Sequence, residues 1–425
     1  MSNVGEKIKR FRKEKKLTLA EVAQEKLSPA MVSLIENGKA KPSAENLKHI
    51  ASVLNVNISD LLGEMTREEL RNKLKEIRSS VNPDNFTSEE IETALTNLKE
   101  LFPNLGQNVE SAHIYETYAK YLFLYYQLYK PKFDLLAESD WEVYYRKAEA
   151  IYEDLQMDSR VVRVQFQLAQ TEYTKGNYQN TIEMVDQYLN SIHTYDSYDI
   201  ISGMIGLKIL KIQCKGALGE IEESFQLLED VIKFSNEYLV LDHFYMIYNL
   251  GALIHYQAGN YDSAREFLMK INKFLEIIDN KQLKIENQVN AIHFMEFFED
   301  SPEKALEIIA NFEKEYERTN DVIDKRVMDY LSDSKARCYT KLNRPHEALP
   351  LFRNLMTEYH IQLHPIDIAL REINKSYQAL CYLQLNDKEK AFQYAKKSLN
   401  IVSKFPYTSY YHFARSVLRD VQLSK

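Results

Sequence analysis

A small side chain recurs at a near-constant interval along the last two thirds of the chain, and few folds can accommodate that register. Thr181, Ser224, Ala264, Ala305, Ala348 and Ala391 are separated by 43, 40, 41, 43 and 43 residues, and each follows a turn-forming stretch such as YTKGNY, YQAGNY or TKLNRP. Four residues past them stand Val185, Leu228, Leu268, Ile309, Phe352 and Ala395, and seven past them Tyr188, Val231, Ile271, Phe312, Leu355 and Ser398. That spacing marks one stripe of an α-helix. Upstream of each turn lies another helical pattern with its own apolar face, for example Met246 to Gln257. One helix pair cannot cover its own apolar surface, so successive pairs must stack, and a row of them curls around an inner groove.

The pattern resembles the tetratricopeptide (TPR) repeat, stretched by longer helices. Trp141 to Leu155, with Ala148 at the small position, reads as an earlier repeat. The expected order is a helical entry over 86-140, repeats over 141-406, and a capping helix over 407-425 after Pro406. Cys214, Cys338 and Cys381 each precede a small residue by ten positions, which makes them buried packing groups at one shared repeat position. In TPR arrays certain first-helix positions face the groove. Carried onto this chain they are Arg163, Gln170, Gln213, Asn249, Tyr256, Asn287, Asn290, Asp333 and Arg337. An asparagine amide donates and accepts at once, so such a wall suits the main chain of an extended peptide.

The N-terminus follows another logic. Thr18 is an N-cap residue ahead of Leu19, Val22 and Ala23, and Ser28 followed by Pro29 is an N-cap with proline at the first helical position. The second of these helices runs to Asn37 with Val32 and Ile35 inward, and Gly38 ends it. Further helices are expected over Val4 to Lys15, Ala44 to Leu54 and Ser59 to Leu62. Across Val4 to Gly63 the residues resemble the Xre/Cro/lambda-repressor family of DNA-binding domains, with Arg12, Leu17, Thr18, Ala23, Ile35, Glu36, Gly38, Lys39, Pro42, Ser43 and Leu47 at family-typical places. The resemblance implies DNA contacts from Ser28, Pro29, Ala30, Ser33, Leu34 and Asn37, and phosphate contacts from Lys7, Arg10, Lys39 and Lys41. This chain departs from the family pattern in two ways. Leu19 stands where a phosphate-gripping Gln is common, and Pro29, Ala30 and Leu34 stand where many members carry polar base readers. Readout of thymine methyls in A/T-rich half-sites follows.

Charge agrees with that division. The whole chain carries −8, yet Met1 to Glu64 has 11 Lys/Arg against 8 Asp/Glu, and Met1 to Lys16 has 7 against 2. No apolar run is long enough to span a membrane, so a cytoplasmic protein is expected. No nucleotide, nucleophile-elbow or zinc-protease motif is present, which argues against an enzyme, and no cofactor is implied. His360 and His364 share a metal-like spacing, but Pro365 follows and no third ligand is in view, so no metal is expected. Met65 to Ser79 reads as a charge-laced helix with little to bury, opening a 65-85 linker and hinge after the 1-64 domain.

The expected fold is all-α: an N-terminal five-helix lambda-repressor-like helix-turn-helix domain, a connecting helix and a C-terminal TPR right-handed superhelix. That arrangement resembles the RRNPP group of Gram-positive peptide-pheromone receptors (NprR-, PlcR- and Rgg-like, with the phage arbitrium receptors as relatives). The resemblance implies a homodimeric, quorum-sensing transcriptional regulator that binds double-stranded palindromic DNA and is switched by a short signalling peptide in the TPR domain. A Rap-like regulator or TPR scaffold acting on a signalling protein is the alternative.

Overall fold

The structure, a computed structural model, describes residues 4–62, 65–82, 87–129, 140–193, 195, 197–319, 325–352 and 364–424. Among these every regular element is helical. The chain divides into two compact units, Met1–Leu168 and Ala169–Lys425.

The first unit opens with α1 (Val4–Glu14), α2 (Leu19–Ala23), α3 (Pro29–Glu36), α4 (Ala44–Leu54) and α5 (Ile58–Leu62). Three of these starts are fixed by side-chain caps. Thr18 and Glu21 form a reciprocal capping box on α2, and Ser28 and Ser43 accept the Met31 and Asn46 amides on α3 and α4; each such cap contributes about 1 kcal/mol. Gly38 ends α3 at φ 69°, the left-handed conformation expected of it. Ile8, Val22, Val32, Ile35, Ile50 and Leu54 make one buried core. Beside it Arg12 grips Glu36 through two hydrogen bonds of 2.6 and 2.8 Å and donates a third to the Leu17 carbonyl at 3.0 Å, joining α1 to α3. The Glu36 hydrogen bond raises the Arg12 pKa, so the cation is held at any ordinary pH.

Then come α6 (Arg67–Ser79), α7 (Ser88–Leu101), α8 (Val109–Tyr129), α9 (Asp140–Asp154) and α10 (Asp158–Thr174), and the boundary between the units falls inside α10. α6 corrects an expectation. Leu70, Leu74, Ile77 and Val81 are buried, while Arg67 and Arg71 converge on the buried carboxylate of Glu110 at 2.7 and 2.6 Å. The helix is therefore packed along its length against α7 and α8. Its apolar residues Leu70, Leu74 and Ile77 lie at i, i+4 and i+7, with Val81 just past its end, a stripe masked in the sequence by the charges between them.

The second unit is a row of helix pairs. α11 (Tyr178–Ser191) precedes α12 (Tyr198–Leu218) with α13 (Ile221–Glu237), α14 (Phe244–Gln257) with α15 (Tyr261–Ile277), and α16 (Lys281–His293) with α17 (Pro302–Thr319). α18 (Lys325–Lys341) with the short α19 (Pro345–Ala348), α20 (Pro365–Gln384) with α21 (Lys388–Val402), and α22 (Ser409–Leu423) complete it. All six register residues, from Thr181 to Ala391, are fully buried, and so are the three cysteines. Burial pushes the Cys214 and Cys338 thiols up to about 12, where they are inert. α19 stops early because Pro350 cannot donate an amide hydrogen to a continuing helix; Leu355, an expected packing residue of that helix, lies outside the described residues.

Two features depart from a simple row in which each pair meets only its neighbours. A π-turn, Phe294–Phe298, is inserted after α16. The C-terminal elements also reach back: Tyr410 of α22 packs with Tyr256, Phe294 and Phe298, the Ser409 amide donates to Gln257 at 2.9 Å, and the Tyr407 hydroxyl donates to the Ala217 carbonyl. Gly219 makes room for that approach, since a Cβ there would sit 2.6 Å from the Tyr407 ring. His364 likewise bonds the Gln213 carbonyl at 3.0 Å. Alongside stacking on α20 and α21, α22 closes the unit onto its own earlier helices.

The tightest approach to the core of the first five helices is at Gly5, where a Cβ would lie 2.1 Å from the Ile35 carbonyl oxygen. Because that neighbour is backbone, Gly5→Ala must push α1 off α3 and should destabilise this domain by about 1 to 3 kcal/mol. Denaturant unfolding of the wild type and the variant checks it; an unchanged midpoint would contradict the packing.

Candidate functional site

α3 presents an unusual outer face. Its inward residues Val32 and Ile35 are sealed in the core, which fixes the opposite side toward solvent. There Pro29 and Ala30 are exposed, Leu34 is 42% exposed, and Met31 is 38% exposed. Met31 is absent from the residues expected at the DNA contact. Its position one turn before Leu34 was the signal, since residues at i and i+3 share a helix face.

The polar groups expected around this face are partly engaged. The Ser28 hydroxyl accepts from the Met31 amide at 3.1 Å. Asn37 turns its amide back onto the Ser33 carbonyl at 2.8 Å, with the half-buried Ser33 hydroxyl 3.4 Å away. Ser33 and Asn37 thus close the end of α3 together, and the apolar side chains are the most prominent groups on its face. Lys39 and Lys41 are exposed just beyond α3, and Lys7 is half-buried on α1, with no ion pair among the described residues. Arg10 faces Glu14 at 3.5 Å, both largely exposed, a pairing weak enough to give way to a phosphate.

Residues 8–61 match the family model described as Helix-turn-helix. This segment is a helix-turn-helix domain. The chain is also 38% identical over 64 residues to an immunity repressor protein of Bacillus phage phi105, an overlap of 15% of this chain and 44% of the repressor. The chain therefore spans less than half the length of that curated relative. Solved structures similar to the chain include Bacillus thuringiensis PlcR in complex with the peptide PapR7 and DNA, at 13% identity and TM-score 0.34, covering 66% of this chain and 96% of that one. The apo competence regulator ComR from Streptococcus vestibularis is 15% identical, at TM-score 0.33, covering 67% and 95%. The Streptococcus dysgalactiae SHP pheromone receptor Rgg2 is 13% identical, at TM-score 0.29, covering 67% and 98%.

The residues expected on a peptide-facing wall separate into groups. Asn249 and Asn290 come together: the Asn290 amide donates to Asn249 Oδ1 at 3.1 Å and lies 3.5 Å from the Tyr245 hydroxyl, with both asparagines half-buried. Asn287 instead meets Asn272 of α15 at 3.0 Å and lines a cleft of about 660 Å³ with Leu275, Ile285 and Tyr316. Gln170 and Gln213 are half-buried on α10 and α12. Arg163 lies in the first unit, exposed and paired with Glu116 at 3.0 Å.

Tyr256, Asp333 and Arg337 are corrections. All three are buried, at 1%, 4% and 1% exposure. Tyr256 donates to Glu299 at 2.8 Å, and Asp333 accepts from Asn374 at 3.0 Å. Arg337 donates to Glu296 at 2.8 Å, Asn374 at 3.0 Å and Ser334 at 2.9 Å. Their polarity read as groove-lining, whereas the π-turn delivers a fully buried carboxylate, Glu296, that makes the interior habitable for a guanidinium. Burial alone would lower the Arg337 pKa; the neighbouring Glu296 raises it overall, so the guanidinium stays charged. Of the paired histidines, His364 caps α20 and His360 lies outside the described residues; no group of three metal-ligating side chains occurs among those described.

Breaking the buried pair from one side leaves an uncompensated charge. Arg337→Met should therefore cost about 3 to 5 kcal/mol, and Asn290→Ala, half-buried and neutral, under about 1 kcal/mol. Thermal unfolding of the two variants checks the ranking; equal losses would return Arg337 to the accessible wall.

Proposed function

We propose that the chain is a non-enzymatic, DNA-binding transcriptional regulator whose helix-pair region takes a short linear signalling peptide. The observation that carries the DNA half is the face of α3: Ala30, Met31 and Leu34 exposed together, with cations at Lys7, Lys39 and Lys41 around it. The cations suit phosphates and set position and salt dependence, and the apolar patch suits thymine methyls in the major groove. A homodimer on a palindrome of A/T-rich half-sites fits a small domain with one reading helix. No described helix is long and apolar enough to cross a membrane, and a cytoplasmic site of action is part of this proposal.

The peptide half is supported by the half-buried Asn249 and Asn290. Their mutual hydrogen bond is the kind an extended peptide can replace, each amide turning to pair with main-chain N–H and C=O groups. Peptide that favours one arrangement of the helix pairs would bias DNA binding by its differential affinity for the two states. The likeness to a phage immunity repressor supports the DNA half.

Duplexes selected by the wild-type chain from a randomised pool should contain A/T-rich inverted repeats. Exchanging thymine for uracil in one half-site removes only a methyl group, worth about 0.8 kcal/mol, so affinity should fall about fourfold per contacted base. Equal affinity for the uracil duplex would dismiss methyl readout. For the peptide half, a linear peptide selected on the wild-type chain from a random-sequence library should bind Asn290→Ala about 5- to 150-fold more weakly, with DNA binding in its absence unchanged. Wild-type affinity in that variant would place the peptide elsewhere.

A further inference from the structure

The first unit contains a cleft of about 320 Å³ that neither the DNA face nor the asparagine pair uses. It is framed by α6, α7, α8 and α10. Its floor is apolar, made by Val81, Ile91 and Leu124. Three cations share the lining, Arg78 from α6, Lys120 from α8 and Arg163 from α10, against the single carboxylate of Glu116. That carboxylate is already occupied on both oxygens, by the Tyr152 hydroxyl at 2.9 Å and by Arg163 at 3.0 Å. Arg78 gives one N–H to the neutral Thr117 hydroxyl at 2.6 Å, and neither it nor the exposed Lys120 has an ion pair among the described residues. Tyr121, held neutral by burial, adds a hydroxyl beside them. The lining therefore carries an excess of two positive charges over an apolar floor.

We propose that this cleft binds an apolar carboxylate, with the acid group among Arg78, Lys120 and Arg163 and the hydrocarbon part on Val81, Ile91 and Leu124. The volume lies at the small end of ligand pockets and suits a group about the size of one amino-acid residue. Arginine forks match a carboxylate with two parallel hydrogen bonds, and inorganic phosphate would leave the floor uncovered. The acid is supplied either by a free small molecule or by the C-terminal residue of a peptide. Because α6 is the first helix after the helix-turn-helix domain, occupancy ties that helix to α8 and α10 and gives a ligand a handle on the DNA-binding end of the chain.

Calorimetry on the full-length chain tests this with N-acetyl-leucine, its uncharged analogue N-acetyl-leucinamide, inorganic phosphate, and the acetylated tripeptide Ala-Ala-Leu with a free C-terminus. Saturable N-acetyl-leucine binding is expected, weakened at least tenfold in the amide and in Arg78→Gln and Lys120→Gln, and unchanged in Lys73→Gln, a charge-matched control on the outer side of α6. Tighter binding of the tripeptide than of N-acetyl-leucine assigns the acid to a peptide C-terminus, and weaker binding assigns it to a free acid. Lys120 is exposed and has no ion pair among the described residues, so its variant reports on the ligand even if Arg78→Gln disturbs the packing of α6. The proposal is overturned by no saturable binding at millimolar concentration, by equal binding of acid and amide, by phosphate binding as well as the acid, or by wild-type affinity in Lys120→Gln.

Discussion

The second unit depends on one carboxylate. Glu296 sits fully buried in the π-turn and accepts from Arg337 of α18 at 2.8 Å and Tyr377 of α20 at 2.5 Å, while Lys341 closes on its backbone carbonyl. Next to it His293 bonds the Tyr410 hydroxyl of α22 at 2.7 Å. Three helices that are far apart in sequence, α18, α20 and α22, are thereby tied to the end of α16 and the turn that follows it. Taking two charges out of water is costly, and an apolar replacement could be as stable, so the return on this arrangement is specificity of register. A one-residue slip of α18 against α16 would leave a guanidinium and a carboxylate buried and unpaired.

The DNA-binding domain uses the same device at smaller scale. Arg12 and Glu36 lock α1 to the end of α3, and the absence of a side chain at Gly5 lets the backbones meet. With Val32 and Ile35 held from beneath, the outer face of α3 has no rotational freedom, so Ala30, Met31 and Leu34 become a fixed surface. Under the proposed function, a recognition helix that shows apolar groups would gain selectivity from methyl contact and DNA shape and leave affinity to the cations around it. That would separate where the domain binds from how tightly it binds.

Closure of the second unit onto itself changes what its helix pairs can offer a ligand. Tyr407, Ser409 and Tyr410 occupy space against the ends of α12 and α14 that an open row of pairs would leave to solvent. The half-buried Asn249 and Asn290 remain accessible, whereas Tyr256 lies beneath the aromatic cluster with Phe294 and Phe298. Under the proposed function, an extended ligand would meet a short polar stretch, and affinity would come from a few well-placed amides together with the apolar side chains near them.

Much of this was written in the sequence because it rests on local rules. N-caps at Thr18, Ser28 and Ser43, the left-handed glycine at position 38, and the buried register from Thr181 to Ala391 all follow from backbone hydrogen bonding and 3.6-residue periodicity, which neighbours in sequence decide. The burial of the three cysteines followed too, because a shared repeat position means a shared packing role. What only the tertiary structure decided concerns polar side chains and contacts across the unit. Arg337 and Asp333 read as surface groups because nothing nearby in sequence announces the partners that accept them, Glu296 at 41 positions and Asn374 at 41. The α6 stripe was likewise hidden until α7 and α8 supplied its other side. Periodicity states which face of a helix is apolar, but whether a charged group on that face meets water or an opposite charge is settled by residues the chain brings back from far away, and no local pattern encodes that meeting.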